Sequence, residues 1–484
     1  MKTGDSFVTR QAFVTAALML VLTCGCEKKP AEEQTMSASR QGQSRPKTAN
    51  GPVAPMDRLD WNLQTLVQVY LSGGHRDPAW DENATNALVK FALIRSDGNR
   101  TPDDDKILGD YCRTAVLQGC QDPVILYLHT RNVTGFQEGA TDQMMADGYK
   151  KAIAALRKYR CAPIRQAYMA LRAAQSVNST TGNRGNMPEI HHFRRGCLES
   201  LLEAIQDPGI PPIEVYEITK ELLEAVKTNP QQHSEFFTRL EPLMDQNWPD
   251  NALIQLLKGR YHIDEAWRLR GNTYSDKVTD DGSKGFSEQL LKAETALEKG
   301  WKLDPTNVEF PYEMLSVELG QGKGRARMEQ WFERAMKLNT NGAGICKRKL
   351  YYLEPKWYGS AAEMLKFARE CAASEDWGGE VLLMPLHAHK SLAGYAKRDG
   401  NTNYWKSPAI WREIKGALDR YYSRYPDDVS WRHNYAMHAY WAEDWNEFNK
   451  QVTLFATGTN YDYFGGRDAF EQMTQNSRQR AAVK

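Results

Sequence analysis

From Met56 onward, apolar residues recur three and four positions apart. Examples are Ile153, Leu156 and Tyr159; Ile164, Ala167, Tyr168 and Leu171; Leu290, Ala293, Leu297 and Trp301; Met364, Leu365, Ala368 and Cys371; and Ile410, Ile414, Leu418 and Tyr421. That spacing lays one apolar stripe along a helix. No segment alternates with the two-residue period of a strand. The stripes are short and end in proline-containing turns: Gln121-Asp122-Pro123, Asp207-Pro208, Trp248-Pro249-Asp250-Asn251, Asp304-Pro305-Thr306-Asn307 and Pro426-Asp427-Asp428. Proline stops one helix because it has no amide hydrogen, and a nearby Asp or Asn can cap the next by accepting its free N–H groups. The pattern predicts an all-α chain of short antiparallel helices. Residues 343–353 and 361–373 read as one such hairpin, turned at Pro355 to Ser360. Ser176–Glu189 and Gly271–Ser287 read as insertions between helices.

The proline turns repeat loosely, at separations of 40, 45, 41 and 56 from Pro123 through Pro163, Pro208 and Pro249 to Pro305. Lys302-Leu303-Asp304-Pro305-Thr306-Asn307 and Lys337-Leu338-Asn339-Thr340-Asn341-Gly342 stand 35 apart, close to the roughly 34 residues of a tetratricopeptide unit. Gly259 after the Trp248–Asn251 turn, then Ala293, Leu297 and Pro305, and later Ala417, Leu418 and Pro426, fall at that family's relative positions. Residues 245–345 therefore resemble tetratricopeptide repeats, and the rest does so loosely. The resemblance implies a right-handed solenoid of antiparallel helix pairs with imperfect repeats. Tyr351-Tyr352-Leu353-Glu354-Pro355-Lys356-Trp357-Tyr358-Gly359-Ser360, followed by Met364, Phe367, Ala368 and Arg369, resembles an uncharacterised bacterial helical-repeat family over residues 337–395. That family supplies architecture and no chemistry.

The N-terminus departs from the helical-repeat pattern. Lys2 and Arg10 precede a 12-residue uncharged apolar run, Ala12 to Thr23, the length of a signal sequence core and too short to span a bilayer. It ends in Leu22-Thr23-Cys24-Gly25-Cys26, which resembles the bacterial lipobox. By that resemblance residues 1–25 are a signal peptide and Cys26, preceded by the small Gly25, is the acylated N-terminus of the mature chain. Several acyl chains hold a protein firmly to a membrane, and Glu27 in place of Asp implies the outer membrane. Glu27 to Met56 has no aromatic, Leu or Ile and cannot offset its ordering entropy, so it reads as a tether with a reach on the order of 30 Å.

Composition narrows the function. The 484 residues carry 62 Lys plus Arg against 61 Asp plus Glu, which gives no electrostatic footprint for nucleic acid. Only Trp61 and Trp80 of the 13 tryptophans precede Trp248. We therefore expect two subdomains, 57–230 and a Trp-rich 231–484. Six cysteines follow the anchor, an even number compatible with disulfides in an exported chain. The hairpin expected at 343–373 puts Cys346 and Cys371 near one end, a candidate disulfide; the alternative is two small buried apolar residues.

Motifs that would carry chemistry are weak. His387 and His389 stand two apart, which on a helix turns them to different sides; the adjacent His191 and His192 lack carboxylates at ligand spacing. Gly320-x-Gly322-x-Gly324 has no preceding strand or following Gly-Lys-Ser/Thr and reads as an inter-helix loop. Lys277 to Glu288 has a lysine at the first ligand place of a calcium loop. Asp427-Asp428 and Glu443-Asp444 read as capping or solvated acids. No cofactor, metal or catalytic residue is assigned.

Aromatics remain. Tyr351, Tyr352, Trp357 and Tyr358 crowd one turn, and Trp431, Tyr435, Trp441 and Trp445 one helix. Trp431, Tyr435, His438 and Ala442 share a face that suits a core, whereas Trp441 and Trp445 lie off it. Tyr351, Trp357, Tyr358, Trp441 and Trp445 are thus the candidate partner contacts. The expected role is a membrane-anchored, non-catalytic helical scaffold for an envelope protein or peptide. The alternatives are an aromatic-lined polysaccharide-binding lipoprotein and, less favoured, a helical-toroid glycan-active enzyme.

Overall fold

The computed structural model describes residues 56–97, 100–182, 187–207, 209–271, 279–455 and 458–482. Cys26, the signal segment and the tether up to residue 55 lie outside the described residues, as do residues 272–278. From the N-terminus, the helices are α1 Arg58–Leu63, α2 Val69–Gly73, α3 Asp81–Asp97, α4 Pro102–Leu117, α5 Pro123–Asn132, α6 Asp142–Ala155 and α7 Pro163–Thr180. They continue as α8 Pro188–Ala204, α9 Pro212–Val226, α10 Pro230–Asn247, α11 Ala252–Arg270, α12 Asp280–Leu303, α13 Glu309–Gln321 and α14 Arg325–Leu338. The last are α15 Ala343–Tyr352, α16 Ala361–Ala373, α17 Met384–Arg398, α18 Pro408–Arg424, α19 Arg432–Trp441, α20 Trp445–Phe455 and α21 Arg467–Ala481. No strand occurs among the described residues.

The helix starts follow from the turn chemistry. Proline opens α4, α5, α7, α8, α9, α10 and α18, where its fixed φ suits the first turn and its missing N–H would have had no partner. Asp122, Asn229, Asn251 and Ser360 accept from the first-turn amides of α5, α10, α11 and α16, and Thr101 with Asp104 closes a capping box on α4. The inter-helix segments expected at 176–189 and 271–287 are shorter than the sequence suggests: α7 continues to Thr180, and α12 begins at Asp280, capped by Thr279.

From α3 onward each helix packs on its successor, and many also on the helix two along: α7 on α9, α9 on α11, α11 on α13, α13 on α15 and α15 on α17. α8 meets α10 in the same way. That double contact defines an all-α solenoid of stacked antiparallel pairs. Within the pair α11–α12, Gly259, one of the positions that carry the repeat resemblance, permits close approach. A Cβ there would lie 2.5 Å from Leu297, and Leu297 and Ala293 are fully buried.

Ion pairs tie helices two apart. Arg172 meets Glu221 at 2.7 Å between α7 and α9, Arg195 meets Glu235 at 2.8 Å between α8 and α10, and Arg260 of α11 donates from Nε to Glu313 of α13 at 3.0 Å. Glu313 in turn holds Arg348 of α15 at 3.1 Å, and Arg325 to Glu363 and Arg369 to Glu413 connect α14, α16 and α18. Near the N-terminus the fully buried Glu214 of α9 takes Arg58 of α1 at 2.7 Å and Arg95 of α3, with Arg165 of α7 at 3.8 Å. Burial raises the Glu214 pKa, but the guanidinium groups of Arg95, Arg165 and Arg58 outweigh it and hold the carboxyl below its ordinary value.

Two glycines test the packing. A Cβ on Gly300 of α12 would run into the ring of Phe310, which is fully buried and cannot withdraw. Gly394, mid-way along α17, has nothing within 4 Å. Chemical denaturation should show Gly300→Ala destabilised by about 1–3 kcal/mol, and Gly394→Ala stabilised by about 0.5–1 kcal/mol.

Candidate functional site

The turn after α15 brings its aromatics into one cluster. Lys349 and Tyr351 carbonyls close the end of the helix, and Trp357 N–H bonds back to Glu354 O at 2.8 Å. This tight return places Trp357 6.0 Å from Tyr351 and 6.4 Å from Tyr358, and 5.9 Å from Trp267 on α11. Phe286 of α12 extends the cluster through Trp267 at 5.1 Å. Two cations belong to it: Arg270 lies 5.6 Å from the Trp267 ring and 5.5 Å from the Trp357 ring, and Lys356 lies 4.3 Å from Tyr351. Tyr351 is 39% and Tyr358 44% exposed, whereas Trp357 is half-buried, with its indole N–H lacking a hydrogen-bond partner. Tyr358 donates to Leu319 O at 3.1 Å across Gly322, whose φ of 61° needs a residue without Cβ. The sequence named Tyr351, Trp357 and Tyr358; it did not reveal Trp267, Phe286 or Arg270, which lie about 80 residues earlier and meet the turn only through packing of the stack.

The second aromatic group divides. Trp441 is 39% exposed and stacks on Trp405 with centroids 5.7 Å apart. Trp445 is 8% exposed, contrary to the exposure expected from the helical wheel. α19 and α20 are separate helices, joined through Glu443 at a positive φ of 60°. A single wheel therefore does not apply across them. Trp445 opens α20, packs on Tyr440 at 5.3 Å and lies under Arg480 of the last helix. Tyr435 and His438 are buried at 1% and 2%.

Cys346 of α15 and Cys371 of α16 are both fully buried and close enough to interact, and the Cys346 thiol donates to Met336 Sδ at 3.7 Å. They are free thiols in this structure. Burial, with the Cys346 thiol second, pushes the Cys371 thiol up, so Cys371 is not an activated nucleophile of the exposed, electropositive kind.

The weaker motifs resolve into structure. His387 faces Trp431 at 5.7 Å. His389 points elsewhere, to Tyr404 at 2.8 Å and Glu413 at 3.3 Å. Burial lowers His387 to about 3 and His438 to about 4, which keeps both neutral. Gly320 lies inside α13 against Leu290 and Phe286, and only Gly322 and Gly324 form the turn. Glu288 sits on α12, so the calcium-like run is a helix from Asp280 onward. Asp428 accepts from Ser430 N at 2.7 Å and from the Tyr421 hydroxyl; Asp444 accepts from Trp411 at 3.0 Å and caps α20; Glu443 pairs with Lys406 at 2.9 Å. No group of three metal-ligating side chains occurs among the described residues, and no described helix is long and apolar enough to cross a membrane.

One carboxylate pair has split pKa values. Glu318 of α13 is 1% exposed. Burial raises it to about 7, against the attraction of Arg327, whose Nε is 3.0 Å away without hydrogen-bond geometry. Glu294 of α12 is also raised by burial, yet ends below its ordinary value because Lys323 at 2.6 Å, Gln321 at 2.9 Å and Arg327 bind both its oxygens. A separated acid and base is the signature of proton-transfer sites. Here, however, Arg327 sits between the two groups, which makes the arrangement a charged tie among α12, α13 and α14.

Comparison with known proteins adds little to this. No protein-family profile matches the chain, and no curated protein sequence matches it. Solved structures of similar helical build include a human IFIT1 dimer with m7Gppp-AAAA, at 9% identity and a TM-score of 0.39, covering 78% of this chain and 71% of that one. A human IFIT1 dimer with PPP-AAAA is similar at 10% identity and a TM-score of 0.39, covering 83% and 73%.

Glu318 yields a signed pH dependence. Its pKa is raised on folding from 4.5 to about 7, so the folded form holds the proton more tightly, and its contribution is full below the unfolded value and lost as pH rises through the folded one. Glu318→Gln, which needs no proton, should become more stable than the parent by about 1–3 kcal/mol near pH 8 and lose that advantage near pH 4. Urea unfolding across that range measures it.

Proposed function

We propose that this chain is an exported lipoprotein, acylated at Cys26 and held at the bacterial outer membrane, whose helical stack is a non-catalytic scaffold for a protein or peptide partner. The observation that carries this reading is the half-exposed cluster of Tyr351, Trp357 and Tyr358 with Trp267, bracketed by Arg270 and Lys356. Tyr, Trp and Arg dominate the energetics of protein interfaces because they bury a large area while offering a polar group. The cluster stands on stacked helices cross-tied by ion pairs, so little ordering cost falls on binding. Confinement of the anchor and partner to one membrane layer raises their effective concentration. Trp441, exposed and stacked on Trp405, supports a second reading, since a flat exposed indole is a platform for a sugar ring. The enzyme reading is the least supported, because the carboxylates of Glu294 and Glu318 are held by Arg327.

In cells, crosslinking from the anchored protein should capture an envelope protein that is lost with Cys26→Ser, which abolishes acylation, and lost with the double change Tyr351→Ala and Tyr358→Ala. Each tyrosine should cost about 1–2 kcal/mol of binding. Polysaccharide retained with no protein partner would move the assignment to glycan binding through Trp441. Export carries its own check: in an oxidising compartment the neighbouring Cys346 and Cys371 should be joined, and non-reducing peptide mapping of protein from the envelope should find them linked, whereas protein expressed without residues 1–25 should keep both as thiols.

A further inference from the structure

We propose that the cleft between α1, α3, α4 and α5 is a binding site for a small organic monocarboxylate with an apolar body, one amino-acid residue in size. The cleft has a volume of about 180 Å3, equal to about six waters' share of liquid. Phe91 and Ile94 of α3 and Leu108 of α4 form its apolar wall, and Arg58, Arg95, Arg100 and Arg131 line its polar side. A smaller void of about 10 Å3 adjoins it, sharing Phe91, Arg95 and Arg131 and adding Arg165.

The charge in this region does not balance. Five guanidinium groups, of Arg58, Arg95, Arg100, Arg131 and Arg165, surround the cleft and void. They meet three carboxylates: Glu214 and Glu217 take Arg58 and Arg95, and Asp105 takes Arg100. Arg131 is half-buried and has no ion pair or hydrogen bond among the described residues, while lining both spaces. Beneath it, Arg165 is 3% exposed, with Nε and Nη1 lacking hydrogen-bond partners, as does Nε of Arg95. Buried guanidinium N–H groups without acceptors are costly, and a cation in a low-dielectric cleft favours an anion beside it.

The surroundings select the anion. Glu217 and Asp105 stand on the same cleft and would repel a compact dianion such as phosphate more than a single carboxylate, whose two oxygens match the fork of one guanidinium. Asn132 adds an amide to the polar side. The apolar wall leaves room for an alkyl or aryl group where phosphate would leave Phe91 and Leu108 facing water. The same chemistry is presented by a free acid and by the last residue of a peptide, and only the peptide carries further residues on its α-nitrogen. This site is separate from the Tyr351 cluster and stands or falls independently of it.

The test is calorimetric titration of the full chain with 4-methylpentanoate, N-acetyl-leucine, N-acetyl-leucinamide, a short peptide ending in leucine and inorganic phosphate. Both small acids should bind. The neutral amide, which differs only in lacking the charge, should bind at least about tenfold more weakly. Arg131→Gln should weaken acid binding by about tenfold or more while leaving the unliganded melting temperature unchanged, since Arg131 breaks no ion pair when replaced, and Arg131→Lys should restore part of the loss. Tighter binding of the peptide than of N-acetyl-leucine assigns the carboxylate to a chain terminus; weaker binding assigns it to a free acid. Phosphate binding as well as the acids, amide binding equal to acid, or affinity unchanged in Arg131→Gln would each overturn the proposal.

Discussion

The helices of this stack have two obligations: to bury an apolar stripe against a neighbour, and to hold a helix two places along. The second obligation is the tighter constraint. Apolar packing is non-directional, so a stripe alone allows one pair to slide on the next. The ion pairs that bridge helices two apart do not: Arg172 and Glu221 are 49 residues apart, Arg195 and Glu235 40, Arg325 and Glu363 38, and Arg369 and Glu413 44. These separations are close to the recurrence of the proline turns. An exposed pair contributes about 0–1 kcal/mol, too little for a row of them to explain stability, but each is satisfied in only one register.

The charged hub at Glu214 shows the other side of this arrangement. Burying a carboxylate and two or three guanidinium groups costs several kcal/mol per ion before attraction offsets it, and apolar side chains could fill the same volume at lower cost. What the hub supplies is connectivity: through Arg58, Arg95 and Arg165, Glu214 ties α9 to α1, α3 and α7. The first helix is further fixed by Met56 N–H bonding to Gly209 O at 3.1 Å. The N-terminal helices are thereby fastened to the middle of the stack rather than only to each other.

The fold was legible because its determinants are local. Proline at the first helical position, Asp or Asn caps, and a 3.6-residue stripe all act within one or two turns, so α5, α11, α15 and α16 could be read directly. Surface chemistry was legible only where it was equally local, as for Tyr351, Trp357 and Tyr358 in one turn. Trp267 and Arg270 complete that cluster from about 80 residues away, and no spacing rule reaches that far. Trp445 failed for a related reason: its cover is Arg480 of α21, and a wheel that includes it runs through Glu443, where a positive φ breaks the helix.

Net charge hides partition. With 62 basic and 61 acidic residues the chain looks electrostatically featureless, and many of its charges are matched across helices. Because pairing consumes carboxylates locally, a small local shortage leaves an unmatched cation with no exposed patch to betray it, as at Arg131. Such a residue differs in kind from the paired arginines around it. Their replacement breaks a register contact and is read as lost stability, whereas replacement of Arg131 removes only what it could offer to something outside the chain. Where ties bind the charges of one cleft, the informative cation is the one they leave over beside buried guanidinium nitrogens that also lack partners.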